Sequence, residues 1–258
     1  MENSKHSIFV REMFGAISPW YDFLNHFLSL GIDVYWRQST ASEFSENGSG
    51  KRYLDVATGT GDLAFELARN VGEKSSVVGM DFCQPMVVRG RKKWDRIWSR
   101  NTNGSVPYPQ DPAETSPPIG KVLFHCGDAL QLPFSDRTFD GATCAFGVRN
   151  FSDLKQGLTE IRRVLKPDAK FVVLEFSTPE NPLFRFLYRF YSHRVLPWIG
   201  RLVSRHPTAY TYLPESVDQF PAGKEFQREL ESTGFRKVGF RSLTMGIVTI
   251  HTGIRTDP

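Results

Sequence analysis

At 258 residues and 40% hydrophobic, the chain is long enough to bury one substantial α/β core. Its formal charge of +4 is only mildly basic and comes with no RNA-binding or zinc-type spacing, which argues against a nucleic-acid partner and a structural metal. Cys83, Cys126 and Cys144 form no C-x-x-C pair, no apolar h-region follows Met1, and no apolar run approaches the roughly 18 residues that cross a bilayer, so a reduced, soluble, cytoplasmic protein is expected.

Phe9 to Phe44 reads as helical and is crowded with aromatics, among them Phe14, Trp20, Tyr21, Phe23 and Phe27. Pro19 divides it, and Gly31 marks a turn before Tyr35 and Trp36. Nothing in a nucleotide-binding fold requires helices ahead of the first strand. They either cap the sheet or cover a cofactor and build a pocket for a greasy substrate.

The chain is organised around Tyr53-Leu-Asp-Val-Ala-Thr-Gly-Thr-Gly-Asp-Leu-Ala64. A short apolar run meets Gly59 and Gly61, and Leu63, Ala64, Leu67 and Ala68 follow at helical spacing, so the stretch reads strand, tight turn, helix. A second apolar run, Val77 to Met80, ends on Asp81, where a nucleotide-binding α/β fold reads ribose hydroxyls. A βαβ turn with a solvated Asp81 is the plainer alternative. The third fingerprint position is Ala64, so spacing alone admits NAD. Asp55, just ahead of the glycines, would repel a diphosphate and suits a cationic ammonium and sulfonium; S-adenosylmethionine (SAM) fits better.

A helix is expected from Gln84 to about Trp98, its Arg89-Gly-Arg-Lys-Lys93 run a solvated face. Ser99 to Gly120 is rich in Pro, Ser, Asn and Gly and reads as a mobile insert at 99–120. Lys121 to Cys126 is a third strand with Asp128 and Ala129 just beyond it, at the end where such sheets bind ligands. There Asp128 either meets an adenine edge or caps a helix. Phe139 to Phe146 is a fourth strand, running into Gly147-Val-Arg149-Asn150 at the same ligand end. A helix (Asp153 to Leu165), a turn at Lys166-Pro-Asp-Ala169 and a fifth strand (Lys170 to Phe176) follow.

From Asn181 to His206, arginines interleave with Phe184, Leu187, Tyr188, Phe190 and Tyr191. Such helices rest on anionic membranes or pack on the sheet with arginines solvated. A helix from Glu225 to Ser232, closed by Gly234, precedes two strands, Phe235 to Leu243 and Gly246 to Ile254, read as a hairpin at the sheet edge.

Several stretches together resemble the C-methyltransferases of ubiquinone and menaquinone biosynthesis, over nearly the whole chain except the insert. They are Tyr21-Asp-Phe-Leu-Asn25 with Ser29 and Trp36, Leu54 to Asp62, Phe146-Gly-Val-Arg-Asn150, Arg163-Val-Leu-Lys-Pro167, Leu174-Glu-Phe-Ser177 and Tyr210-x-Tyr-Leu-x-Glu-Ser216. The resemblance implies one class I SAM-dependent methyltransferase domain over 1–258, an α/β fold with a doubly wound, mostly parallel seven-stranded sheet. It would carry an N-terminal helical cap (1–50) and a late helical insert or lid (178–220).

The resemblance further implies SAM as cofactor, held by Gly59, Thr60, Gly61, Asp81, Asp128 and Ala129. The partner would be a polyprenylated quinol, preferably a demethylmenaquinol, with a benzoquinol precursor of ubiquinone also open and a peripheral membrane contact in view. Neither oligomeric state nor tail length is specified. Arg149, Asn150 and Tyr21 are the expected catalytic residues, because a carbon nucleophile needs its phenol oriented and deprotonated. This chain departs from the family at Ala145 (serine there), Asp33 (histidine) and Asp168-Ala169 (Gly-Gly). The competing readings are a methyltransferase for another lipid or phenol, a nicotinamide-dependent oxidoreductase, and a silent SAM-binding subunit.

Overall fold

The computed structural model describes residues 2–44, 50–72, 74–101, 121–195 and 209–257. Three helices come first: α1 (Glu2–Ile17), α2 (Tyr21–Leu28) and α3 (Ile32–Ala41). The alternating part is β1 (Arg52–Val56), α4 (Asp62–Asn70), β2 (Ser76–Asp81), α5 (Gln84–Asn101), β3 (Lys121–Cys126), β4 (Phe139–Ala145), α6 (Leu154–Val164) and β5 (Leu165–Phe176). The last elements are α7 (Pro182–Phe190), α8 (Ala209–Gln219), α9 (Lys224–Ser232), β6 (Phe235–Leu243) and β7 (Val248–Arg255). Most of the expected insert, and Leu196 to His206 of the basic aromatic stretch, lie outside the described residues.

The seven strands form one sheet in the order β3-β2-β1-β4-β5-β7-β6. Tyr53 pairs in parallel with Val77 on one side and Gly141 on the other, so the winding reverses between β1 and β4. That reversal opens a crevice at the carboxyl ends of these strands. β7 runs antiparallel between β5 and β6, which leaves β6 as the edge.

Period-two alternation divides the core into two layers. Leu54, Val56, Phe171 and Val173 pack on one face with Leu158 and Ile161 of α6 and Phe226 and Leu230 of α9. Tyr53, Val77, Val172 and Leu174 pack on the other with Leu67 and Ala68 of α4, Trp94 of α5 and Trp36 of α3. Each fully buried Leu or Phe contributes about 1.5–3 kcal/mol over its exposed state. A third cluster, Met13, Ile17 and Leu24, joins α1 to α2 beyond the strand ends.

α1 begins at Glu2, ahead of the expected Phe9, and two further boundaries differ from expectation. The Lys166 to Ala169 turn is a bulge inside β5, where the register jumps from Phe139↔Leu165 to Gly141↔Lys170. Asp168 takes φ +60° there, a conformation that glycine enters freely and aspartate tolerates, so the Gly-Gly departure is absorbed locally. The second difference is that α5 runs on to Asn101, past the expected loop start, because Trp94 and Trp98 remain buried on its inner face.

Candidate functional site

β1 ends at Val56, and the next backbone groups are fixed by the neighbouring strand: Thr58 N–H donates to Met80 O at 3.0 Å. Gly61 takes φ +88°, and a Cβ there would stand 2.6 Å from Phe124 Cζ and 2.9 Å from Phe65 Cζ. Gly61 is therefore demanded by helix–sheet packing. At Gly59 (φ +57°) a Cβ would meet only the Tyr21 ring, at 3.8 Å, so this glycine faces the crevice. Ala57 and Phe146, each just past a strand end in the crevice, hold left-handed φ values of +53° and +55°. Such strain costs on the order of 1–3 kcal/mol and gathers at functional sites.

A first cavity, of about 70 Å³, lies at these strand ends. Gly59, Asp81, Asp128, Ala129, Ala145 and Asn150 line it, with Met80, Phe82, Met86 and Phe151 as apolar walls and Ser7 and Phe14 of α1 above. The Asp81 carboxylate accepts Gly59 N–H and Cys83 N–H, each at 2.8 Å. Burial pushes its carboxyl up to about 6, against the pull of those N–H groups. Asp128 accepts Leu130 N–H at 2.9 Å and so closes a turn; no helix starts there.

Three sequence expectations change here. Asp55 does not line the cavity. Its two oxygens accept the Thr58 and Thr143 hydroxyls, each at 2.6 Å, beneath the loop. Burial raises this carboxyl also to about 6, with Asp81 adding repulsion. Thr60 turns from the cavity to donate its hydroxyl to Asp22 of α2, and Gly61 is likewise absent from the lining. Asp22 and Asp62 both accept from Lys93, so the glycine loop, α2 and α5 are joined by charge. Lys93 is therefore half-buried in an ion-pair cluster, while Arg89, Arg91 and Lys92 of the same run are exposed, as a solvated face requires.

The second cavity, of about 300 Å³, is mostly apolar and sits between the N-terminal helices and the late insert. Met13, Leu28, Trp36, Phe176, Tyr188 and Val217 represent its walls, and Asn25, Asp33, Arg149 and Tyr212 supply polar groups. The Arg149 side chain is 5% exposed and pairs with Glu175, itself 1% exposed, while its guanidinium sits 5.5 Å over the Phe176 ring. Burial pushes the Glu175 carboxyl up, and the Arg149 cation pulls it back down. Arg149 Nε and Glu175 Oε2 are buried without a protein partner. Desolvation lifts the Tyr188 hydroxyl to about 12, opposed by Arg149. Tyr212 donates to Asn150 Oδ1 at 2.9 Å, tying α8 to the loop after β4.

Phe14, Tyr21 and Phe146 line both cavities. The Tyr21 hydroxyl, bonded to the Asn25 side chain, is raised by burial. Asp33 is 4% exposed and engages Arg37 at 2.7 Å, Ser29 at 2.8 Å and His26 at 3.0 Å. An acid at this position is thus held by its own helix corner. Trp36 Nε1 donates to Thr244 Oγ1 at 2.7 Å, closing the wall against the turn before β7.

Of the residues expected from sequence, Gly59, Asp81, Asp128, Ala129, Asn150 and Tyr21 meet at the first cavity, and Arg149 and Tyr21 at the second. Sequence reasoning missed Glu175, Tyr188, Tyr212 and Asp22. Glu175 carried a signal, since an acid after the apolar run Phe171 to Leu174 needs a partner, and Arg149 lies in the short turn of 3-10 helix just past the adjacent strand β4.

The chain matches the ubiE/COQ5 methyltransferase family over residues 1–255. It is 45% identical to a ubiquinone/menaquinone biosynthesis C-methyltransferase of Geobacter sulfurreducens, over 95% of this chain and 87% of that protein. It is 43% identical to a demethylmenaquinone methyltransferase of Deinococcus radiodurans, over 95% and 91%. Among solved structures, a SAM-dependent methyltransferase from Aquifex aeolicus superposes with a TM-score of 0.56 at 20% identity, covering 85% of this chain and 89% of that one.

Proposed function

This chain belongs to the ubiE/COQ5 methyltransferase family and is a SAM-dependent C-methyltransferase of quinone biosynthesis; we propose that its acceptor is a polyprenylated demethylmenaquinol, with a demethoxy-benzoquinol as a second acceptor. The observation that carries this reading is the seam between the cavities. A polar cleft at the strand ends and an apolar cavity share Phe14, Tyr21 and Phe146 as walls, so donor and acceptor meet there.

The first cavity fits SAM by its donors and acceptors. Asp81 uses one lone pair of each oxygen on backbone N–H groups and keeps the others for a vicinal diol. Asp128 keeps one oxygen for an exocyclic amine, and Met80, Phe82, Met86 and Phe151 offer a slot for a flat base. Gly59 lets the ligand approach the backbone. When bound, SAM supplies an electrophilic methyl on a sulfonium.

The acceptor carbon must be electron-rich, which requires the quinol, ionised at the hydroxyl ortho to that carbon. The Arg149 cation, buried over Phe176 in a low dielectric, stabilises phenolate far better than it would in water. It stays protonated and is no base. Asn150, oriented by Tyr212, holds the water that carries the phenolic proton away. Tyr21 closes the seam and keeps bulk water from the methyl path. Glu175 keeps the Arg149 fork in one orientation.

A polyprenyl tail partitions into lipid, so the reading includes peripheral contact with a membrane. The test is methyl transfer from labelled SAM to demethylmenaquinol, beside the same compound left oxidised. Label in the ring of the reduced sample alone is expected. Ring label in the oxidised sample would overturn the quinol requirement. No label in either, with SAM bound, would move the acceptor to the benzoquinol.

A further inference from the structure

α7 is an amphipathic helix worn inside out. Leu183, Phe186, Leu187 and Phe190 recur at i, i+3, i+4 and i+7, the spacing of one apolar helix face. They are 64%, 68%, 52% and 57% exposed, and no residue of α7 is buried. By contrast α9 turns Phe226 and Leu230 into the core. Tyr188, on the opposite side of α7, lines the apolar cavity.

Across the mouth of that cavity the corner between α2 and α3 repeats the pattern. Phe27 is 49% exposed and stacked on Phe23 at 5.8 Å, and Leu30 is 83% exposed. The two regions are joined where Tyr191, just past α7, donates its hydroxyl to Leu28 O at 2.8 Å. An exposed apolar surface of this extent marks an interaction site.

We propose that this rim, α7 with the α2–α3 corner, docks on a bilayer bearing anionic phospholipid, so that a lipid-dissolved acceptor enters the apolar cavity without crossing water. This rests on the quinol reading above. The charge pattern selects lipid as the occupant. α7 carries Arg189 and no acid, and exposed Arg194 follows it, with Asp218 of α8 beside them; the Arg185 guanidinium is held by Pro179 O and Glu180 O. Arginines flanking an aliphatic-aromatic face match an interfacial helix on anionic headgroups. The surface is also continuous with the cavity, which Leu28, Leu30 and Ile32 line from one side and Tyr188 and Tyr191 from the other.

The test sediments the full chain with phosphatidylcholine vesicles, with and without phosphatidylglycerol, in the absence of substrate. Binding is expected to the anionic vesicles, weakening as salt rises. The double variant Phe27→Glu/Phe186→Glu, both exposed side chains outside the cavity lining, should lose at least about tenfold in partitioning. It should keep its turnover on a water-soluble quinol with a single isoprene unit while losing about as much on a long-tailed quinol in vesicles. Wild-type chain left in the supernatant with every vesicle would overturn the proposal. So would undiminished partitioning of the variant, or a variant whose only defect is lost self-association. Because partitioning is read without substrate, failure of methyl transfer on the soluble quinol bears on the activity alone.

Discussion

The two cavities that meet at Tyr21 are built from different kinds of chain. The first takes its polar groups from residues within a few positions of a strand end: Gly59 after β1, Asp81 ending β2, Asp128 after β3 and Asn150 after β4. The second is walled by helices from opposite ends of the sequence, so that Met13, Trp36, Tyr188 and Val217 face one space. Ligand chemistry in the first is set by local motif and a shared sheet. In the second it is set by which side chains the tertiary packing leaves pointing inward.

Arg149 belongs to both regimes, lying in the turn just past β4 and lining the assembled cavity, and on the proposed role its removal should have the largest effect. Arg149→Ala leaves Glu175 buried and uncompensated, which costs roughly 3–5 kcal/mol. The melting temperature should fall by about 10 °C and turnover should collapse. Arg149→Met/Glu175→Leu should recover most of the stability and none of the turnover. Normal turnover in that double variant would remove Arg149 from the chemistry.

Asp81 tests the first cavity by itself. Asp81→Ala removes the two acceptors proposed for the ribose diol, each charge-assisted bond worth about 1.5–3 kcal/mol, so SAM affinity should drop at least about 100-fold by calorimetry. KM for the quinol should barely move. An equal rise in both constants would mean that the two cavities are one coupled unit.

pH sharpens the same distinction. Asp55 and Asp81 are both raised to about 6, above the ordinary aspartate value, so the folded chain holds protons that the unfolded chain gives up. Their contribution to stability is therefore complete below about pH 4 and is lost as pH rises through about 6. SAM binding needs Asp81 ionised and has the opposite sign, so affinity should tighten up to about tenfold per unit as pH climbs towards 6, then level off. Melting curves of the ligand-free chain and SAM titrations across this range should slope oppositely. Matching slopes would place the ribose contact elsewhere.

The smallest effect belongs to Tyr212. Tyr212→Phe removes one hydrogen bond to Asn150, worth about 0.5–1.5 kcal/mol. A fall of roughly 2–10-fold in kcat/KM for the quinol is expected, with SAM affinity unchanged. A loss of SAM affinity instead would assign Asn150 to the cofactor cleft alone.

Much of the first cavity was legible because a βαβ unit writes its function at fixed offsets: strand, glycines, helix, then an acid ending the next strand. The placement of Asp81 at the end of β2 follows from that grammar, and the antiparallel edge pair from the hairpin read at the chain's end. The same grammar set Asp55, Thr60 and Gly61 beside the ligand, and none of the three lines the cavity. Offset along the chain says that a residue is near the loop, but not which way it faces. Asp55 turned under the loop because Thr143, on the neighbouring strand, offers its second oxygen a hydroxyl. Gly61 is a packing requirement set by Phe124, more than sixty residues away.

By itself the sequence determined the strands and helices in their order along the chain, through hydrophobic period and glycine placement, and through its motifs the family and the seven-stranded sheet that the family implies. Only the tertiary structure decided that Glu175 holds Arg149, that Tyr212 reaches Asn150, and that α7 wears its apolar face outward. Those pairings join residues 26 and 62 positions apart in the first two cases. The periodicity of α7 is identical whether its apolar face points in or out. The side it turns to solvent is set by what else packs there, and no local pattern encodes that.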